Sequence, residues 1–582
     1  MKTNEITKTI RVARGEEAPD LLISGGDLVN VFSAEINRDI WVGVAGRRIA
    51  YVGQAGGIKP GPETKVIEAK GALIMPGLID AHTHLDSIFR LDQYVTYALA
   101  SGNTVAVTEM STIANAVGYQ GVIWFLEESA AQLMRIFGLA PPLIPPFPEY
   151  ETSAGLDFDQ FKNIINKNMV LGVGETYWPR VVDLDERALS RYAAAFERGK
   201  TREGHAAGAR GNKFMAYCAA GTTSCHEATT LDEVLERLRA GLAVMIREGF
   251  VRRELPGVAG LAQTKVDLTN VMLVTDLADP EDLLSIGSMN ELVRRAIGHG
   301  FDPIQAVQMA SINPARYYGL RDLGGVGPGK LADIIVVESF DTMHCRQVVL
   351  DGKIVAEDGR MISPCPRYRY PAESGRAVKL KPVPPEIFQI SSDETEVTVR
   401  AVGYAGETIT KEVIATLKTS RGVIEPDPTQ DVIRMAVFNR RLEDARPSLG
   451  FAAGLGLRDG AAAISLTWDT NNVLAVGVSE SDLALAVNRL IELDGGFIVV
   501  KDGAVMAELP LPTFGLISEL TMPEIVGQYR KVEKALHDLG STIPRPFLTL
   551  QTFCFTGLPF IRLTDQGLVD IRQRRFVPLQ VK

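Results

Sequence analysis

Between residues 76 and 320, short apolar runs alternate with amphipathic stretches, and this alternation leaves few folds open to the chain. Thr104 to Thr108, Val170 to Val173 and Val271 to Thr275 have the length and character of parallel strands buried on both faces. Asp183 to Arg198 and Leu231 to Ala240 repeat apolar residues at spacings of three and four, as helices do. Strand–helix units repeated over such a length suit a closed (β/α)8 barrel or a doubly wound parallel sheet.

The flanks read differently. Leu21 to Val31 predicts a strand with a turn at Gly25-Gly26, and Ile40 to Val52 alternates about a turn at Gly46-Arg47-Arg48. The run from Ala72 to Asp80 reads as one buried strand leading into histidines. After Asn313-Pro314-Ala315-Arg316, the segments Ala332 to Val337 and Gln347 to Lys353 look like strands able to rejoin the first ones. Gly325-Val326-Gly327-Pro328-Gly329-Lys330 has the outline of a phosphate loop. However, Leu331 stands where a Ser or Thr is needed and a strand follows, so it reads as a turn. A Pro-rich linker then leads to an α+β region. The expected divisions are 1–75 and 321–385 for the flanking β segments with their linker, 76–320 for the alternating strand–helix region, and 386–582 for the last domain.

Composition narrows the function. A formal net charge of −10, with no basic stripe interleaved with aromatics, argues against a nucleic-acid surface. No window reaches the ~18 uninterrupted apolar residues of a spanning helix, and no apolar leader precedes a cleavage site at the start. The five cysteines contain no C-x-x-C pair and suggest no disulfide framework. These features predict a cytoplasmic enzyme without membrane or nucleic-acid partners.

Only seven histidines occur, so their positions are informative. His82 and His84 lie two apart at the end of an apolar strand, where period two lets both chelate one cation. Glu175 ends the run Gly172-Val173-Gly174. His205 lies in Gly204-His205-Ala206, His226 in Ser224-Cys225-His226-Glu227 and Asp276 in Val274-Thr275-Asp276. All but His205 follow a recognisable strand, which is where barrels present catalytic groups. Two histidines, a bridging carboxylate, two more histidines and an aspartate would hold a pair of divalent cations, which lower the pKa of a shared water. His299, His344 and His537 read as ordinary surface or helix residues.

This ordered set resembles the amidohydrolase superfamily and, more narrowly, the adenine deaminase family. The likeness runs almost the full length. It is carried by Met75-Pro76-Gly77-Leu78-Ile79-Asp80-Ala81-His82-Thr83-His84, Ile113-Ala114-Asn115, Gly204-His205-Ala206, Pro280-Glu281-Asp282-Leu283-Leu284 and Asn313-Pro314-Ala315-Arg316-Tyr317. It continues through Ala484 to Ile491, Leu509-Pro510-Leu511-Pro512 and Leu563 to Asp570. The resemblance implies a metal-dependent-hydrolase (β/α)8 barrel with a small β-sandwich built from both flanks and a C-terminal α+β domain. It also implies His82 and His84 on one metal, Glu175 bridging, and His205 and His226 on the second. Asp276 would be both ligand and proton shuttle. Manganese, iron or zinc would be the metal, and a homodimer or larger the assembly.

Polar positions around these ligands depart from the family together. Glu109-Met110-Ser111-Thr112 replaces Asp-Pro-His-Glu, and Ser224-Cys225-His226-Glu227 replaces Ser-Asp-His-Glu. Thr275-Asp276-Leu277 stands for Thr-Asp-Asp, and Gly287-Ser288-Met289-Asn290 for Gly-His-Ile-Asp. Trp468-Asp469-Thr470-Asn471-Asn472 stands for His-Asp-Ser-His-Asn. The pattern is that of a kept water-activating centre with a rebuilt substrate pocket.

The leading expectation is therefore hydrolysis of a C–N bond in a small heterocycle, as in adenine deamination, with Asp276 moving the proton and Glu227 as second candidate. The alternative is ring opening of another cyclic amide, imide or amidine, with a carboxylate-bearing ring as one form of it. Arg90 and Arg180 would then grip that carboxylate bidentately, with Trp178 stacked on the ring. A barrel acting only as a binding module is the third reading.

Overall fold

The computed structural model describes residues 2–406 and 408–581. Eight parallel strands form the barrel. Leu78–His84, Asn103–Glu109, Arg135–Ala140, Val170–Tyr177 and Thr201–His205 are hydrogen-bonded in sequence, as are Ser224–Cys225, Ala243–Arg247 and Val271–Val274. Backbone bonds join the two sets. Thr223 N donates to Arg202 O at 2.9 Å beside the fifth and sixth strands. Asp276 N donates to His82 O at 3.0 Å, closing the eighth strand on the first.

Alternation along each strand sorts the side chains. Val105 and Val107, Ala243 and Met245, and Met272 and Val274 pack with Ile79 and Ala81 inside the barrel. Val244, Ile246, Val271 and Leu273 pack outward among the helices. The inner layer is apolar below and meets the functional residues at the strands' C-terminal ends.

The apolar run through residue 80 is not one strand. Leu73–Pro76 belongs to the small β sheet, and Leu78–His84 opens the barrel. The break falls at Gly77, where a Cβ would collide with the Thr104 side chain. The small sheet has nine strands from both flanks of the barrel. In spatial order they run 360–361, 353–357, 345–350, 334–337, 73–76, 21–30, 35–45 and 48–54, with 65–68 beside 21–30. Leu21–Asn30 is one continuous strand, and Gly25-Gly26 marks a slip in its register rather than a turn.

The chain after the Pro-rich segment builds a second nine-stranded sheet. Helices Glu480–Glu492 and Met522–Asp538 pack on it. This region reaches over the barrel mouth. Ile517–Ser518 pairs in parallel with Ile88–Phe89, just after the first barrel strand. No helix among the described residues is long and apolar enough to cross a membrane.

Glu151 joins the two bodies from a barrel loop. Its carboxylate accepts from Thr556 Oγ1 at 2.6 Å and from Phe147 N at 3.0 Å. Burial pushes its pKa up to about 8. An acid raised on folding favours the native state at low pH, and this contribution falls away as pH climbs from the ordinary carboxylate value towards 8. Glu151→Gln removes that cost. The variant is expected to raise the urea midpoint at pH 8 and leave it nearly unchanged at pH 5.

Candidate active site

The site is assembled by strand ends. In the first strand the pairing register slips between Asp80 and Thr83, so the inward phase passes from Ile79 and Ala81 to His82 and His84. Asp80, fully buried, locks this strand to the last. Its carboxylate accepts from Thr275 Oγ1 at 2.6 Å and Thr275 N at 3.2 Å. Asp276 follows with a left-handed backbone, φ 60°, that turns it out of the strand. His205 ends a short, polar fifth strand. Within that strand, buried Glu203 accepts from Ser224 Oγ at 2.6 Å and the Tyr317 hydroxyl at 2.9 Å.

All six residues expected to bind metal come together. Glu175 Oε2 lies 2.9 Å from His205 Nδ1 and 3.1 Å from His226 Nε2. Asp276 Oδ1 lies 3.4 Å from His82 Nε2 and 3.5 Å from His84 Nε2, and His84 Nε2 is 3.7 Å from Glu175 Oε1. Two sets of donor atoms fall within 4.8 Å of one another: His82, His226 and Asp276, and Glu175, His205 and His226. His226 is thus common to both, whereas the family resemblance implies it on one metal only.

These residues fit a divalent cation. Both ring nitrogens of His82, His205 Nε2 and His226 Nδ1 are buried without a hydrogen-bond partner among the described residues, an arrangement that is costly unless something else binds them. Imidazole and carboxylate together suit first-row divalent ions.

The field in the site is uneven. Burial, with His226 stacked 4.3 Å away, lowers the His82 pKa to about 4. Burial acts the same way on His84 but is outweighed by Asp276 and Glu175, which push it up to about 10. For Glu227 and Asp276, burial is overcome by Arg247 and the neighbouring histidines, holding both carboxyls below their ordinary range.

Two further members of the site were not among the expected metal, catalytic or substrate-binding residues. Glu109, fully buried at the end of the second strand, accepts from Glu175 N at 2.8 Å, and a Cβ at Gly174 would collide with its carboxylate. Arg247 ends the seventh strand. It donates to Glu227 Oε1 at 2.7 Å, to Glu254 Oε1 at 2.6 Å and to Asp276 Oδ2 at 3.3 Å. Period two was the available signal, since Val105-Val107-Glu109 and Ala243-Met245-Arg247 each share one face. Replacing Arg247 with methionine leaves three buried carboxylates without their common cation. A loss of about 3–5 kcal/mol is expected, measured by urea unfolding.

Arg90, Arg180 and Trp178 do not line the pocket. Arg90 is buried, bonded to Asp92 at 2.9 Å and to the carbonyl of Glu519, where it clamps the C-terminal region to the barrel. Arg180 pairs with Glu149 and donates to Pro146 O at 2.9 Å. The Trp178 indole N–H donates to Ala207 O at 2.9 Å. Each has its polar group satisfied by the protein. The wall opposite the strand ends comes instead from Leu466, Trp468, Asp469, Asn471, Gln551 and Phe555 of the C-terminal region.

A barrel with this cluster at its strand ends defines an amidohydrolase, and residues 73–355 match the amidohydrolase family. Residues 407–575 match the adenine deaminase C-terminal domain. The chain is 36% identical to the adenine deaminase of Methanothrix thermoacetophila, with 99% of each protein covered. It is also 36% identical to adenine deaminase 1 of Carboxydothermus hydrogenoformans over 96% of this chain and 95% of that one. The adenine deaminase of Moorella thermoacetica is 34% identical over 99% and 98%. The chain belongs to the adenine deaminase family. It is a hydrolase of a non-peptide C–N bond in a small heterocycle, and its family implies a divalent metal.

Proposed function

We propose that the chain hydrolyses adenine to hypoxanthine and ammonia. The observation that carries this reading is the cluster of four histidines, Glu175 and Asp276, in which four imidazole nitrogens are buried and unpartnered and all members but His82 line one pocket. The roof belongs to a segment matching the adenine deaminase C-terminal domain, and the likeness to proteins named adenine deaminase spans the whole chain.

His82 and His84 are assigned to one cation and His205 and His226 to a second, with Glu175 between them and Asp276 as a further ligand. The position of His226 between both donor sets supports two adjacent ions, for which manganese, iron or zinc has the right chemistry. Bound there, divalent cations supply a water of lowered pKa and hence a nucleophile at neutral pH. Asp276, held ionised by His82, His84 and Arg247, takes the proton as the water oxygen bonds to C6. It then delivers that proton to the leaving amine as the C6–N bond breaks. Glu227 is the second candidate for proton transfer, but its Oε1 is already held by Arg247 at 2.7 Å. The aromatic wall of Trp468, Phe555 and Tyr177 suits a flat ring and shields it from water.

The carboxylate-bearing alternative loses its support, because Arg90 and Arg180 are engaged elsewhere and Arg247 already faces three carboxylates. The net charge of −10 and cysteines without a C-x-x-C pair favour a cytoplasmic enzyme acting on a small molecule, and the family resemblance favours a homodimer or larger assembly.

Metal-loaded protein given adenine should release hypoxanthine and ammonia in equal amounts, at more than about 1 s⁻¹. Turnover of a cyclic amide such as dihydrouracil with none of adenine would replace this reading with ring opening.

A further inference from the structure

In the pocket wall from the C-terminal region, two side-chain amides each have one half hydrogen-bonded and one half buried without a partner among the described residues. Asn471 and Gln551 are both 1% exposed, and both line the pocket. Asn471 Nδ2 donates to Thr112 O at 3.0 Å and to Asp469 O at 2.9 Å. Those partners are carbonyls, so the nitrogen must face them and Oδ1 is left without a donor. Gln551 Oε1 accepts from the Trp468 indole N–H at 3.2 Å. Indole only donates, so the amide oxygen must face it and Nε2 is left without an acceptor. The orientation of each amide is therefore set by partners that cannot exchange roles.

Their backbones are held as firmly. Trp468 N donates to Gln551 O at 2.9 Å, and Asn471 N to Thr467 O at 2.8 Å. The fully buried Arg440 donates to Asn471 O at 3.1 Å and Phe514 O at 2.9 Å. A buried amide atom left open on so constrained a frame is costly without a ligand and selective with one.

We infer that Asn471 and Gln551 read one edge of the substrate ring, Gln551 Nε2 donating to a ring acceptor and Asn471 Oδ1 accepting from an N–H of the same ring. The ligand class is a neutral, planar heterocycle with an N–H and a hydrogen-bond acceptor on one edge. The aromatic side chains of Trp468 and Phe555, 5.6 Å apart beside the amides, favour the flat shape. The inference rests on the heterocycle-hydrolase reading but not on adenine being the ring.

Isosteric ligands test it without disturbing the fold. 3-Deazaadenine and 7-deazaadenine each replace one ring acceptor by C–H. The two oxazolopyrimidine isomers put a ring oxygen where adenine carries its imidazole N–H. With metal-loaded wild type, at least one ligand of each pair should lose roughly 10- to 100-fold in kcat/KM against adenine, mostly through KM. Gln551→Met should erase the deaza penalty and Asn471→Gly the oxygen penalty. Glycine suits position 471, where φ is 56°, and thermal melting checks that both variants are folded. Wild type that treats all five rings alike, or variants that keep its full discrimination, would overturn the inference.

If wild type does not turn over adenine, the adenine reading fails by itself. Equilibrium binding of adenine and of dihydrouracil, whose ring also sets N–H beside C=O, then decides the pairing. Weaker binding of either ring by both variants supports it. Equal Kd in wild type and variants, or no binding of either ring, overturns it.

Discussion

Replacing Asp276 with asparagine is expected to lower kcat by about 10²- to 10⁴-fold, the range for loss of a positioned acid–base group. The amide keeps the volume and can still face Arg247, but it cannot take a proton. Asp276 is well placed for that task. Its Oδ1 lies 3.4–3.5 Å from both His82 and His84, and its Oδ2 is anchored by Arg247 at 3.3 Å. Glu227→Gln should cost less, because Glu227 Oε1 is shared between Arg247 at 2.7 Å and His226 at 3.2 Å. The comparison is made as kcat at saturating substrate, with metal content measured on the same samples. A larger loss for Glu227→Gln than for Asp276→Asn would reverse the two roles.

His226→Ala is expected to remove activity to below about 10⁻⁴ of wild type, together with most of the bound metal. His226 is the one residue present in both sets of converging donor atoms, so its loss opens both. His84 lies outside those sets, although its Nε2 is within 3.7 Å of Glu175 and 3.5 Å of Asp276. His84→Ala should therefore retain more metal than His226→Ala. Elemental analysis after gel filtration reads this directly. Equal retention by the two variants would show that the pivotal position of His226 does not govern binding.

Most of the barrel was legible because its strands are short, apolar and β-branched, and the residues that converge on the site follow them. His82, His84, Glu175, His226 and Asp276 could be found in that way. The fifth strand, Thr201–His205, could not, because its buried members include Arg202 and Glu203. Glu203 is satisfied by Ser224, Tyr317 and Tyr318, residues distant in sequence, so no local pattern marks it.

Arg90, Arg180 and Trp178 illustrate the opposite error. Their positions beside His84 and Glu175 suggested a ligand grip. The adjacent Asp92, and the more distant Glu149, Ala207 and carbonyl of Glu519, claim them first. Glu109 stood out only as a departure from the family, and Arg247 was readable in principle from period two but had no histidine beside it to draw notice. Asn471 fell within a stretch marked as departing from the family, but the roles proposed for it and Gln551 had no local signal. They depend on which amide atom the tertiary partners Thr112 and Trp468 occupy.

The most direct test of the account is reconstitution of chelator-stripped protein with manganese, iron or zinc, with bound metal and adenine hydrolysis followed on the same samples. Stripped protein should be inactive. Activity should rise with bound metal and level off at two ions per chain. Full adenine turnover by stripped protein, or no turnover by protein that has bound two ions, would contradict it.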